Sequence, residues 1–97
     1  MMDRFAEHAE QALTDLQSWV DQNFDPDDVE ADRTEAGLEL RLADRRKIVI
    51  SLQSALSEIW VAAPQGGFHL QWSGDCWRDP SQDRTLADLI SGLLPRS

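Results

Sequence analysis

The chain has 97 residues, enough for one small domain with one modest hydrophobic core. Its formal net charge of -9 disfavours nucleic acid and anionic lipid as partners, and no run of about 18 apolar residues is present to span a membrane. The single cysteine, Cys76, cannot close an internal disulfide, and Met1-Met2-Asp3-Arg4 does not lead a basic region into an apolar one, so a reducing, cytoplasmic setting without a signal peptide is expected.

The charge is unevenly placed. Eleven of the 18 acidic residues, but only Arg4 and Arg33 of the nine basic ones, fall in residues 1–35, and the remainder of the chain is balanced. A field of that kind attracts cations and basic protein surfaces.

From Phe5 to Phe24 the apolar residues Phe5, Ala9, Ala12, Leu13, Leu16, Trp19 and Val20 recur at helical spacing and form one stripe. Asp3, Glu7, Glu10 and Asp21 fall nearly opposite, on the solvent side, and Pro26 ends the helical region by disfavouring a helical Asp25. Asp21 and Asp25, four residues apart, are expected close together at the helix end, where the macrodipole already favours positive charge. Val29, Ala31 and Arg33 then alternate with Glu30 and Asp32 as a weak strand. On such a strand the two acids point to one side, about 6.5–7 Å apart.

After an Ala36-Gly37 turn, Leu38, Leu40 and Leu42 alternate with Glu39 and Arg41. Residues 43–46 make a polar reversal, and Lys47 to Gln53 form a strand with Ile48, Ile50 and Leu52 inward. Glu58 to Trp72 read as a hairpin, with Pro64, Gly66 and Gly67 supplying the turn. Ile59, Val61, Phe68, Leu70 and Trp72 share its inner side, which leaves Trp60 outside with His69 and Gln71. A short strand Cys76-Trp77-Arg78 and a loop over residues 79–83 follow. Thr85-Leu86-Ala87-Asp88 resembles a capping box and starts a helix that buries Leu86, Leu89, Ile90, Leu93 and Leu94 before Pro95 stops it.

Helix, about five or six strands, helix, with short connections, implies an α+β two-layer sandwich. An antiparallel meander would carry both helices on one face, as a single domain over residues 1–97. Its other face would show Glu39, Arg41, Val49, Ser51, Gln53, Trp60, Ala62, His69 and Gln71. Trp60 in that polar company is a candidate binding anchor, although a single surface aromatic is also normal.

Nucleophilic catalysis has little support. Cys76 reads as a small buried hydrophobe, and neither His8 nor His69 is paired with a nucleophile or set at metal-motif spacing. The acidic segment is the chemically loud feature. Its carboxylates are hard oxygen ligands suited to Mg²⁺, Ca²⁺, Mn²⁺ or iron, in weak sites that retain water. A solvated charge run, or an edge strand that uses charge against aggregation, accounts for the same residues.

Ile59-Trp60-Val61-Ala62, then Pro64-Gln65-Gly66-Gly67-Phe68-His69-Leu70, then Gly74-Asp75-Cys76-Trp77 and a Leu-rich terminal helix together resemble the frataxin family, most of all its short bacterial, CyaY-type members. The resemblance runs from the acidic first helix to Leu94. It implies an iron-binding protein, not an enzyme, that modulates iron–sulfur cluster assembly by binding ferrous or ferric iron and the cysteine desulfurase IscS, with the scaffold complex, and that is monomeric without iron. The family's acidic ridge maps onto Asp21, Asp25, Asp27, Asp28, Glu30 and Asp32, its exposed sheet Trp onto Trp60 and its sheet-surface Gln onto Gln53. Glu30 and Asp32 would serve metal and partner alike. Ser51 departs from a common Asn, Ser18 and Gln22 thin the carboxylates at the helix end, and Leu70 replaces a frequent aromatic. The alternative is a metal-independent acidic module that binds a basic partner surface.

Overall fold

The computed structural model describes residues 4–94. Asp3 and Pro95, to which the sequence assigned a solvent face and a helix stop, lie outside them. The first helix, α1, spans Arg4–Asn23 and buries Phe5, Ala9, Leu13, Leu16 and Val20. Trp19, expected in the same stripe, is 36% exposed. At helical spacing it falls about 80° from the middle of the buried stripe, so its indole lies at the margin and meets the edge of the Phe24 ring, with centroids 5.7 Å apart.

The helix closes on its own groups: Phe24 N–H donates to the Val20 carbonyl, and the Asn23 side-chain amide donates to the Trp19 carbonyl. Asp25 therefore lies just beyond the helix, whose last turn carries Asp21. Asp25 organises the next turn. Its carboxylate accepts the Asp27 N–H at 2.9 Å, and its carbonyl accepts from Asp28 and Val29.

Seven strands follow: β1 Val29–Arg33, β2 Gly37–Leu42, β3 Lys47–Gln53, β4 Glu58–Ala63, β5 Gly66–Trp72, β6 Trp77–Asp79 and β7 Arg84–Thr85. They pair antiparallel in chain order as one meander. The sheet thus has one strand more than the upper expectation. The extra one, β7, is two residues long and pairs Arg78 with Thr85 and Asp79 with Arg84, too short to leave a periodic signal. The reversal before it is held by Asp79, the one buried charged side chain among the described residues. Its carboxylate accepts from Ser81 N–H at 2.9 Å and Ser81 Oγ at 2.7 Å.

Thr85 then caps the second helix, α2 (Leu86–Leu93), by accepting the Asp88 N–H, as the capping pattern anticipates.

The β4–β5 turn is tighter than expected. Ala63 pairs with Gly66 and Ala62 with Gly67, so both glycines belong to β5 and the turn is Pro64-Gln65. Of the two, Gly66 has the positive φ, at 145°. Gly37 is required for a different reason: a Cβ there would stand 2.2 Å from the Ile50 carbonyl oxygen across the β2–β3 pair.

The inner sheet face contributes Val29, Ala31, Leu38, Leu40, Ile48, Ile50, Ile59, Val61, Leu70 and Trp77 to one core with the buried residues of both helices. An α+β sandwich with both helices on one face is what the sequence pattern implied. Two inward expectations shift. Trp72, at the end of β5, is 36% exposed and stacks on His8, with centroids 4.0 Å apart. Cys76 is half-buried in the bend before β6, not in a strand, because the Ser73-Gly74-Asp75 turn extends by one residue.

Candidate binding surfaces on the open sheet face and the acidic edge

Directly paired residues on neighbouring strands point to the same side of a sheet, so the register defines the open face. One half is charged: Glu30 and Asp32 on β1, Glu39 and Arg41 on β2, and Lys47 on β3. The other half carries Ser51 and Gln53 on β3, Glu58 and Trp60 on β4, and His69 and Gln71 on β5. The two halves meet on β3, and β1 at the sheet edge lies about 14 Å from β4, three strands in. A single protein partner can cover both.

Glu30 and Asp32 point to one side, as expected, but they are not free. Arg41, opposite Glu30 in the register, ion-pairs with both carboxylates and lies 3.9 Å from Glu39. Glu39 is held in turn by Lys47 at 3.3 Å. Arg41 is thereby kept protonated above its ordinary value, first by the hydrogen bond to Glu30 and then by the charge of Asp32. Both side chains stay nearly half exposed, as a solvated charge run requires, and cross-strand pairing adds what the sequence pattern did not indicate, a guanidinium between them.

Asp21, Asp25, Asp27 and Asp28 differ. All four are exposed, and no basic side chain of the described residues forms an ion pair with any of them. Asp21 sits on the last turn of α1, while Asp25, Asp27 and Asp28 surround the turn into β1. Among the described residues, no three His, Cys, Asp or Glu side chains converge to hold a metal ion.

On the other half, Trp60 is half-buried. Its indole lies flat on the His69 imidazole, with centroids 4.6 Å apart and planes 9° from parallel. Its Nε1–H donates to Glu58 at 2.8 Å, and the Gln71 amide donates to the other Glu58 oxygen at 3.0 Å. His69 Nδ1 stands 3.9 Å from the same carboxylate. Sequence reasoning placed Trp60 on this face correctly but missed Glu58. The signal was present: Glu58 lies two residues before Trp60 on one strand and so shares its side. Gln53 is opposite Glu58 in the register, which puts it in the same patch.

Among the described residues, neither histidine lies beside the cysteine. His8 stacks on Trp72 and His69 on Trp60, while Cys76 Sγ lies 3.4 Å from Ser73 Oγ and 3.7 Å from Arg78 Nη2.

The description "Frataxin-like domain" matches residues 1–96 of this chain. The chain belongs to the frataxin family. Its relatives include proteins named "Iron-sulfur cluster assembly protein CyaY". That of Polaromonas sp. is 38% identical over 87 residues, 88% of this chain and 72% of the relative. That of Cupriavidus metallidurans is 35% identical over 88 residues, 89% of this chain and 79% of the relative. A third, from Dechloromonas aromatica, is 46% identical over 56 residues, 58% of this chain and 53% of the relative. In architecture, the frataxin of Psychromonas ingrahamii superposes with a TM-score of 0.83 at 21% identity, over 92% of this chain and 83% of that one. The frataxin-like sandwich implied by the hairpin motif and terminal helix is therefore the fold of this protein.

Proposed function

We propose that this frataxin-family chain works in iron–sulfur cluster assembly, as an iron-binding protein that modulates the pathway by engaging a cysteine desulfurase of the IscS type together with its scaffold complex. The observation that carries this reading is the group of exposed carboxylates at Asp21, Asp25, Asp27 and Asp28, which lacks basic partners among the described residues and lies beside the charged half of the open sheet face. The name shared by its relatives supplies the pathway.

Iron is cargo in this scheme. Isolated carboxylates offer one or two hard oxygens each, so an ion would keep much of its water, bind weakly and be replaceable by other divalent cations. The same charges would steer a basic desulfurase surface toward the molecule, while Trp60, Glu58 and Gln53 would supply contacts that exclude water. Glu30 and Asp32 would join only as their shared Arg41 gives way. The role is one of binding and not catalysis, in keeping with the stacked histidines and the lone thiol. Its setting would be the cytoplasm, since one cysteine builds no internal disulfide.

An anaerobic ferrous titration followed by NMR tests the metal arm. Broadening confined to residues 15–35 supports it, and broadening scattered over the molecule or absent overturns it. The second reading, a metal-independent acidic interaction module, is favoured by the absence of any convergent three-ligand cluster among the described residues. A desulfurase pull-down with iron and with a chelator separates the two: binding that survives chelation unchanged belongs to the second.

A further inference from the structure

A cleft of about 710 Å³ opens between α1, α2 and the turn joining β5 to β6, on the opposite side of the sheet from Trp60. Leu16, Trp77 and Leu86, all buried, form its floor. Trp19 and Trp72, each 36% exposed, stand along it, and they are two of the four exposed large apolar side chains among the described residues. Their exposure runs against their sequence pattern. Trp19 belongs to the apolar stripe of α1, and Trp72 to the inward phase of β5. Trp72 keeps one face on His8 and Trp19 meets the Phe24 ring, yet each leaves 36% of its surface exposed, and a partly exposed aromatic pair of this kind marks a site of association.

The cleft also has a sign. Asp15, Asp75 and Asp88 are exposed along it, and no Lys or Arg among the described residues lines it. Ser73 Oγ donates to Asp75 at 2.9 Å, an interaction that holds this carboxyl below its ordinary range. Between His8 and Trp19 the α1 wall rises about 16 Å, the length of roughly three helical turns.

We propose that this cleft is a docking groove for a basic amphipathic helix of a partner protein. The helix would set its apolar stripe on Trp19, Trp72 and Trp77 and its Lys or Arg flanks against Asp15, Asp75 and Asp88. Charge complementarity selects this occupant. A second copy of the chain brings no matching charge on a helix, because Arg4 is the only basic residue on α1 or α2. An anionic membrane is repelled by the same three carboxylates. The groove is independent of the acidic edge and of iron, so its failure leaves the proposed function standing.

The test uses the full chain and a synthetic 14-residue peptide, with Leu at helical i, i+3, i+4 spacing and Lys on both flanks, followed by backbone and indole NMR signals. Saturable shifts at residues 8–19, 72–77 and 85–91, including the Trp19 and Trp72 indoles, are expected. A shuffled peptide of identical composition should bind at least tenfold more weakly, as should the peptide to the D15N/D75N/D88N variant. Trp72→Leu, which keeps apolar packing against His8, should also weaken binding, and its native spectrum would show that the fold survives. Equal binding of the shuffled peptide, shifts confined to residues 25–32, or an unchanged affinity in the triple aspartate variant would overturn the proposal. So would groove signals that move with protein concentration alone, which would make the occupant a second copy.

Discussion

Glu58 sits two residues before Trp60 on β4 and accepts its indole N–H at 2.8 Å, so that the aromatic anchor of the open face is oriented by a carboxylate. The Gln71 amide, first, and the Trp60 indole, second, hold Glu58 below the usual glutamate range. A carboxyl depressed in the folded state adds stability that is present above its unfolded value, about 4.3, and is lost as pH falls through the folded value. The Glu58→Gln variant should therefore be less stable than the parent at pH 7, with the gap closing on acidification. Urea unfolding at the two ends of that range measures it. A gap that widens toward acid would refute the assignment.

Trp60 itself should matter for association more than for folding. It is half-buried, on the solvent side of the sheet, and packs on His69 and not on the core. Replacing it with Ala should weaken desulfurase binding on the order of tenfold or more, as loss of a central aromatic anchor does. The thermal midpoint should move little. Calorimetric titration against the desulfurase, beside a melting curve of the free variant, separates the two effects.

What could be read from residues alone follows the range of the interactions involved. The α1 stripe and the alternation of Ile48, Ile50 and Leu52 are local periodicities, and both elements are placed within a residue of their observed bounds. The side of the sheet taken by Trp60 follows from the same alternation. The Arg41 pairing with Glu30 and Asp32 was not legible, because it depends on register across the β1–β2 connection. Trp19 and Trp72 match an inward pattern, but Trp19 lies at the margin of its stripe and Trp72 at the end of β5, and only their tertiary surroundings show that each leaves 36% of its surface exposed. The two-residue β7 exists because Asp79 folds the preceding loop back, a tertiary cause with no periodic trace.

Gly37 should be intolerant of any side chain. A Cβ would stand 2.2 Å from the Ile50 carbonyl oxygen, a backbone atom tied into the β2–β3 register that cannot rotate away. Gly37→Ala is expected to cost about 2 kcal/mol or more, in the upper part of the range for overpacking. Chemical denaturation would show it as a lower midpoint at unchanged slope. A variant as stable as the parent would mean that the two strands can separate locally without loss.

The unpaired carboxylates at the α1–β1 turn should repel one another at low salt. Raising ionic strength, or adding Mg²⁺ at constant ionic strength, should raise the melting temperature. The D25N/D27N/D28N variant should start higher and respond less. Asn at position 25 keeps an oxygen that can accept the Asp27 N–H, so the turn itself should survive. Melting curves flat in both salt and Mg²⁺ would show that the cluster is not electrostatically strained.

Arg41 decides whether Glu30 and Asp32 are available to cations at all. Its guanidinium holds both carboxylates, so a metal ion that uses them must displace a positive charge already in place. Removing that charge with Arg41→Gln should increase the affinity of the β1 edge for Mn²⁺ or Co²⁺ several-fold. Paramagnetic broadening should extend from residues 21–28 into residues 30–32. Without the guanidinium Asp32 stands opposite Glu39 and beside Glu30, and like charges across a strand pair repel, so the melting temperature should fall modestly and recover with added salt. If broadening at residues 30–32 is the same in the parent and the variant, Arg41 is no competitor and the two acids act as ligands with the ion pair in place. If it is absent from both, Glu30 and Asp32 are a structural clasp for the sheet edge, and the metal-binding segment ends at Asp28.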